Sequence, residues 1–166
     1  MFEHNIGPFF DEKSNILILG SFPSVKSREE NFYYANKQNR FWKVLAQVFK
    51  DQVPESEIEK KDFLTAHRIA LWDVIESCEI IGSSDASIKN VTPSDISLIL
   101  DKAPIEKLVL NGKKASQLFY RNQGSALPLR NCKAQVIEVY ELPSTSPANA
   151  AFSIDKLIAH WSIISK

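Results

Sequence analysis

Primary amides and aromatic rings crowd one short stretch of this chain. Phe32, Tyr33, Tyr34, Asn36, Gln38, Asn39, Phe41 and Trp42 all fall in "NFYYANKQNRFWKVL", residues 31–45. Flat rings beside amides suit a flat, hydrogen-bonding ligand such as a nucleobase. A crowded structural loop has the same composition. Hydroxyls and amides gather again in Gly20-Ser21-Phe22-Pro23-Ser24, in Asn111-Gly112 and in Pro143-Ser144-Thr145-Ser146-Pro147, and Trp72-Asp73 adds a further polar break. Amides and hydroxyls are poor general acids and bases but good partners for hydrogen bonding. A site made of them suits a reaction whose leaving group departs early and needs orientation and electrostatic stabilisation more than a strong nucleophile. Hydrolysis of a base–sugar bond has that character, with an oxocarbenium-like sugar, an anionic base and a positioned water.

Other chemistries lack their residues. No Gly-rich phosphate loop or dinucleotide fingerprint is present, and the chain has five glycines in all, so ATP and NAD chemistry are not expected. His4, His67 and His160 are dispersed, none beside a Ser or Cys at a strand end, which leaves a nucleophilic triad unsupported. His160, next to Trp161, reads as structural. No His and acid cluster has metal-ligand spacing, and two cysteines, Cys78 and Cys132, are too few for a four-cysteine site. Neither a cofactor nor a metal is expected, and the cysteines read as reduced thiols.

The elements that must position these groups follow from apolar patterning. With 166 residues, 44% of them hydrophobic, the chain suits a single domain over 1–166 with a sizeable core. "NILILG" (15–20), "IALWDVI" (69–75), "EKLVLNG" (106–112) and "AQVIEVYELP" (134–143) read as buried strands. Helices are expected in "NRFWKVLAQVF", "PESEIEKKDFLTAHR", "KKASQLFYRN" and "AFSIDKLIAHWSII". Another is expected in "DISLILDKA", opened by Thr92-Pro93-Ser94-Asp95 as cap and first turn. The loop from Ser21 to Gln38 is long for a structureless connection, and such loops are often functional. Alternating strands and helices predict an α/β fold, a three-layer α/β/α sandwich around a mainly parallel four-stranded sheet. Ligands bind beyond the carboxyl ends of such strands, where the polar clusters above all fall.

Charge gives a weaker signal. The net charge is zero, but residues 26–50 hold six Lys/Arg against two Glu, 51–80 three against eight acids, and 102–133 seven against one. That permits a basic face on a neutral protein and equally fits surface scatter. No apolar run approaches the about 20 residues that span a bilayer, and the N-terminus lacks a signal-peptide pattern. A cytoplasmic protein with no membrane partner is expected, and nothing in the sequence suggests an obligate dimer, so a monomer is.

"LILGSFPS" with "YANKQNRFWKVL" resembles the paired first motif of the uracil-DNA glycosylase superfamily, "LPSTSP" its second, and "VLNGKKA" a strand segment ending in Gly-Lys-x-Ala. The resemblance runs from about residue 16 to 160, with the motifs in order. Mismatch-specific uracil and thymine DNA glycosylases carry a catalytic Asn at the third position of the first turn, and other branches an Asp; here Phe22 stands there. "GSFPS" with "QNRFW" is similar to the hypoxanthine-DNA glycosylase branch, in which the Asn before Arg-Phe-Trp takes the key role. The resemblance therefore implies excision of hypoxanthine from DNA, with Asn39 catalytic, either donating to the departing base or holding the water. It also implies that Tyr34 stacks on the flipped base, Phe22 forms an apolar wall, backbone near Ser21 meets base acceptors, and Gln38 and Asn111 read the base. Ser24, Ser144, Ser146, Lys113 and Lys114 would contact DNA phosphates, and Pro147 and Ala148 would fill the gap left in the duplex.

Some of these residues have structural roles open to them as well. Asn39 also suits the N-cap of a helix starting at Arg40, Asn111-Gly112 an ordinary turn, and Lys113 and Lys114 a solvated surface. Tyr33, Phe41 and Trp42 are expected in the core. Alternatives remain: uracil or xanthine as main substrate, a non-catalytic DNA-binding module, or a nucleoside hydrolase.

Overall fold

The computed structural model describes residues 1–166. Its first half runs β1 (Phe2–Glu3), β2 (Ile16–Gly20), α1 (Val25–Glu30), α2 (Phe41–Val48), α3 (Glu57–Ala66), β3 (Ile69–Asp73) and β4 (Ile75–Glu79). The second half adds β5 (Lys89–Pro93), α4 (Ser97–Leu100), β6 (Lys107–Asn111), α5 (Lys113–Gln123), β7 (Glu138–Leu142) and α6 (Ile154–Trp161).

The expected central sheet forms from β3-β2-β6-β7, all parallel. Every residue of β2 and β3 is buried. Since successive side chains point to opposite faces, both faces of the sheet are covered, as a wholly apolar strand requires. Pairing of Gly20 with Asp73, Leu19 with Leu110 and Asn111 with Leu142 brings the carboxyl ends of all four strands level. That alignment gathers the polar clusters at one edge.

Helix α2 buries Phe41, Val44, Leu45 and Val48 and packs against α6, where Trp161 meets Phe41 edge-on at 6.2 Å. Tyr33 and Trp42 are buried with Phe41, as expected. Deep burial of an aromatic contributes about 1.5–3 kcal/mol, so this cluster is a main anchor of the helical layer on the sheet.

Three expectations are corrected. The segment 21–38 holds a short helix, α1, capped by Ser24 Oγ accepting from the Ser27 N–H at 3.1 Å and ended by Asn31 in the left-handed region, φ 56°. Helix α2 begins at Phe41, one residue later than expected. Thr92 and Pro93 do not open a helix: they end β5, at the edge of a small antiparallel sheet ordered β1-β4-β5. An edge strand tolerates Pro because its missing N–H is not needed by a further neighbour. The helix that follows shrinks to Ser97–Leu100.

Candidate active site

A cleft of about 250 Å³ opens at the carboxyl ends of the parallel strands. Its floor is Gly20, Asp73 and Asn111; its walls are Ser21–Ser24, Tyr33, Tyr34, Asn36 and Asn39 on one side and Ser144–Ala148 on the other. Of the residues singled out from the sequence, Ser21, Phe22, Ser24, Tyr34, Asn39, Asn111, Ser144, Ser146, Pro147 and Ala148 converge there. Gln38 does not. Its backbone N–H donates to Asn36 Oδ1 in a turn that leaves the side chain exposed, and it does not line the cleft. Lys113 and Lys114 stand at the start of α5, outside the lining.

Tyr34 is held in the left-handed region at φ 51°, a conformation that costs a non-glycine residue about 1–2 kcal/mol. Three contacts fix it. Its ring lies flat on Phe41, with centroids 3.7 Å apart, its carbonyl accepts from Trp42 Nε1 at 3.1 Å, and its hydroxyl oxygen accepts from Asn111 Nδ2 at 3.2 Å. Phe41 thus covers one ring face, and Tyr34 also lines the cleft. Burial, together with the nearby Asp73 charge, pushes the Tyr34 hydroxyl well above the usual tyrosine range, so it stays protonated.

Asn39 performs the capping role without being the first cap residue: its Oδ1 accepts from the Phe41 N–H at 3.0 Å. A backbone N–H can only donate, which fixes the amide orientation and leaves Nδ2 without a protein partner beside the cleft. Asn111 is differently committed. Its Nδ2 donates to Tyr34 Oη and to Thr145 Oγ1, both at 3.2 Å, and its Oδ1 accepts from the Thr145 N–H at 3.1 Å. It ties β6 to both walls, and donating to a base edge would require one of the Nδ2 bonds to open, while Oδ1 keeps a second lone pair.

Ser144 Oγ accepts from the Ser146 N–H, and Ser146 Oγ from the Ala148 N–H. Each hydroxyl keeps its own hydrogen for a further acceptor. Ser24 keeps none: its oxygen caps α1 and its O–H donates to Ser27 Oγ at 3.1 Å. Ser21 Oγ donates to Asp85 Oδ1 at 2.7 Å. Burial pushes the Asp85 carboxyl above the usual range, against the Ser21 hydrogen bond and the Lys114 charge, while Asp73 adds to the rise.

Side chains given no role from the sequence, Asp73 among them although Trp72-Asp73 marked a strand end, complete the site. Asp73, 4% exposed, receives a 2.8 Å hydrogen bond on Oδ2 from His4 Nε2. Arg40 ties the Ser144–Phe152 loop to the start of α2 through backbone carbonyls of Thr145, Ser146, Asn149 and Phe152. Asp85 and Ser83 reach the rim because Arg28 Nη2 donates to the Gly82 carbonyl and Ser83 Oγ accepts from the Val25 N–H. None of these pairings has a local sequence signal.

Gly20 sets how closely the floor is packed. A Cβ there would stand 2.6 Å from Asp73 Oδ1 and 3.2 Å from Tyr34 Oη. Its backbone conformation is open to any residue, so the clash alone sets the cost. Gly20→Ala is expected to lower stability by about 1–3 kcal/mol, read as a shift in the urea unfolding midpoint at unchanged slope.

The fold is an α/β domain with a polar cleft at the carboxyl ends of its parallel strands. The family model for the uracil DNA glycosylase superfamily matches residues 8–162, and the chain belongs to that superfamily. It is 34% identical over 155 residues to a hypoxanthine DNA glycosylase of Methanosarcina acetivorans, covering 92% of each chain. A hypoxanthine DNA glycosylase of Methanosarcina barkeri is 35% identical over 112 residues, 66% of this chain and 71% of its own. The solution NMR structure of a candidate uracil DNA glycosylase from Methanosarcina acetivorans superimposes with a TM-score of 0.80 at 29% identity, covering 99% of this chain and 97% of that one. No helix here is long and apolar enough to cross a membrane.

Proposed function

We propose that this protein is a monofunctional DNA glycosylase that takes a deaminated base, foremost hypoxanthine, out of DNA and hydrolyses its N-glycosidic bond with water. One observation carries the reading: a single strand-end cleft unites a ring face, a free amide and a Ser-Pro loop in a chain similar over nearly its whole length to a hypoxanthine DNA glycosylase. Extrusion exposes the target bond and is least costly for a mispaired base.

In the cleft the free face of Tyr34 stacks on the base, which is worth roughly 1–3 kcal/mol. Phe22 walls off water and so strengthens the polar contacts inside. Asn39 Nδ2 donates to the base as it leaves with negative charge, a contact that tightens as the bond breaks and so lowers the barrier. The capping of Phe41 by Oδ1 supports donation over water-holding as its main role. Ser144 and Ser146 hydroxyls and the Lys113 and Lys114 ammonium groups contact phosphates, and Pro147-Ala148 fills the vacated stack. No lysine lines the cleft to form a Schiff base, which supports water as the nucleophile. Acting on DNA as a monomer inside the cell, the protein needs no cofactor for this chemistry.

Oligonucleotides carrying one hypoxanthine, uracil or xanthine, incubated with the protein and then cleaved with alkali at abasic sites, test the reading. Strand cleavage is expected with all three and fastest with hypoxanthine. Intact strands throughout, with DNA still bound, would leave a binding module instead.

A further inference from the structure

Hydrolysis consumes a water, and no group assigned above can take its proton. Asn39 Nδ2 only donates, the Tyr34 hydroxyl stays protonated, and serine hydroxyls are feeble bases. No histidine lines the cleft, and its anionic groups are Asp73 and Asp85. Asp73 lies on the floor, 4% exposed, with Oδ2 held by His4. An extruded nucleotide enters base first, so its C1′ stays near the mouth, well above that floor. Asp85 stands at the mouth, exposed to solvent. The turn "GSSDAS" (82–87) holds it there. Ser87 Oγ donates to the Ser84 carbonyl at 2.7 Å and accepts from the Ile81 N–H at 2.8 Å, and Ser83 Oγ accepts from the Val25 N–H at 2.9 Å. Ser21 Oγ then donates to Asp85 Oδ1 at 2.7 Å, which leaves Oδ2 without a hydrogen bond from the protein.

We propose that Asp85 is a catalytic residue of this site, whose Oδ2 holds the attacking water and takes its proton as a general base. The C1′–N9 bond breaks with its electron pair leaving on the base, and the water oxygen bonds to C1′. One water proton passes to Asp85 and from there to solvent, and the departing base takes up a proton in turn. Phe22 puts no polar group at the centre of the turn after β2, but the β4–β5 connection delivers a carboxylate to its neighbour Ser21. Part of Asp85 reaches solvent, yet desolvation of its carboxyl raises it above the usual carboxylate range, with Asp73 adding to the rise and the Ser21 bond and Lys114 opposing it. A raised carboxyl is a stronger base. Ser21 acts as a positioning residue, fixing the carboxylate by its far oxygen. The assignment rests on the glycosylase reading proposed above.

Asp85→Asn tests it, because the amide keeps the size of the side chain and the Ser21 contact but cannot accept a proton. Single-turnover excision on a deoxyinosine oligonucleotide reads the chemistry. Affinity for an oligonucleotide with the hydrolysis-resistant 2′-fluoroarabino analogue of deoxyinosine reads binding. Asp85→Asn is expected to slow excision by about 10²-fold or more and to leave analogue affinity within about twofold. The wild-type rate should rise with pH as Asp85 loses its proton, over a range above that of an ordinary carboxylate, and Asp85→Asn should lose this rise. The groups facing the carboxyl are Asp73 from β3 and Lys114 from α5, with the hydroxyls of Ser21 and Tyr34. Ser21→Ala removes a bond that favours the ionised carboxyl, so its rise should move to higher pH. Added formate should restore Asp85→Ala by about tenfold or more relative to chloride at equal concentration.

An Asp85→Asn protein that excises within about threefold of wild type overturns the inference and leaves the glycosylase reading standing. So does a loss of rate matched by an equal loss of analogue affinity, which would make Asp85 a rim contact for DNA, or a pH rise that persists in Asp85→Asn. A wild type that binds the analogue but excises nothing overturns the glycosylase reading itself, and this inference with it.

Discussion

Asn39→Ala is expected to slow hypoxanthine excision by about 10²–10³-fold, the usual loss when one preorganised donor to a developing anion is removed. The same substitution deletes the oxygen that caps the Phe41 N–H. Losing such a cap costs about 1 kcal/mol, far too little to unfold a domain of this size, so the rate and the stability effects are separable. Single-turnover excision on a hypoxanthine oligonucleotide gives the first and urea unfolding the second. Asn39→Asp sharpens the test because it keeps the capping oxygen and replaces the NH2 with a second oxygen. Donation to the leaving base predicts that Asp is as slow as Ala or slower, since a negative charge would face a departing anion. Near-wild-type activity in Asn39→Asp would instead assign Asn39 to holding the water as an acceptor.

What the sequence disclosed follows from which interactions are local. β2, β3 and β6 announce themselves as apolar runs because a strand buried on both faces has no room for polar residues. Their carboxyl ends therefore mark the site, and Ser21 and Asn111 could be named from the places where β2 and β6 stop, whereas Asn39, just ahead of α2, was named only through the resemblance of "QNRFW". β5 was hidden for the complementary reason: it is a short edge strand with no buried residue, so it has no apolar pattern to show. α1 is six residues long with one buried side chain, too short for a helical face to appear.

The His4–Asp73 pair joins residues 69 positions apart, and neither lies in a recognisable spacing with the other. Trp72-Asp73 reads as an ordinary polar exit from a strand until the N-terminal segment is folded across it. Gln38 illustrates the opposite error. Its chemistry suits a base pocket as well as that of Asn39, but a turn closed by the Asn36 side chain leaves it in solvent. Residue type locates a site to within a few positions, and the backbone decides which of them faces inward.

Arg40 carries the second large effect, through loop order. Its Nη2 donates to the carbonyls of Ser146 at 2.8 Å and Asn149 at 3.1 Å, Nη1 reaches that of Phe152, and Nε that of Thr145 at 3.4 Å. The Arg40 N–H also donates to the Thr145 carbonyl at 3.1 Å. One planar side chain next to Asn39 thus fixes the loop that brings Ser144, Ser146 and Pro147 to the opposite wall, more than 100 residues away in sequence. Arg40→Ala leaves these half-buried carbonyls without their charged donor, and hydrogen bonds to charged groups are worth about 1.5–3 kcal/mol each, though not additively.

A loss of about 2–4 kcal/mol in unfolding free energy is expected for Arg40→Ala, with a parallel fall in affinity for abasic-site DNA. Arg40→Lys should recover only part of either, because a single ammonium cannot reach carbonyls spread across the guanidinium fork. Exposed Arg121 on α5 supplies the control: Arg121→Ala should change stability by no more than about 0.5 kcal/mol. If Arg40→Ala unfolds at the wild-type urea concentration, the loop is held by its own serine turns and the Asn149 Nδ2 bond to the Ser144 carbonyl. The clamp would then be dispensable. If stability falls and Lys rescues it fully, charge near the loop matters more than the fork, and the geometric account of how Asn39 and the Ser-Pro loop are kept facing each other fails.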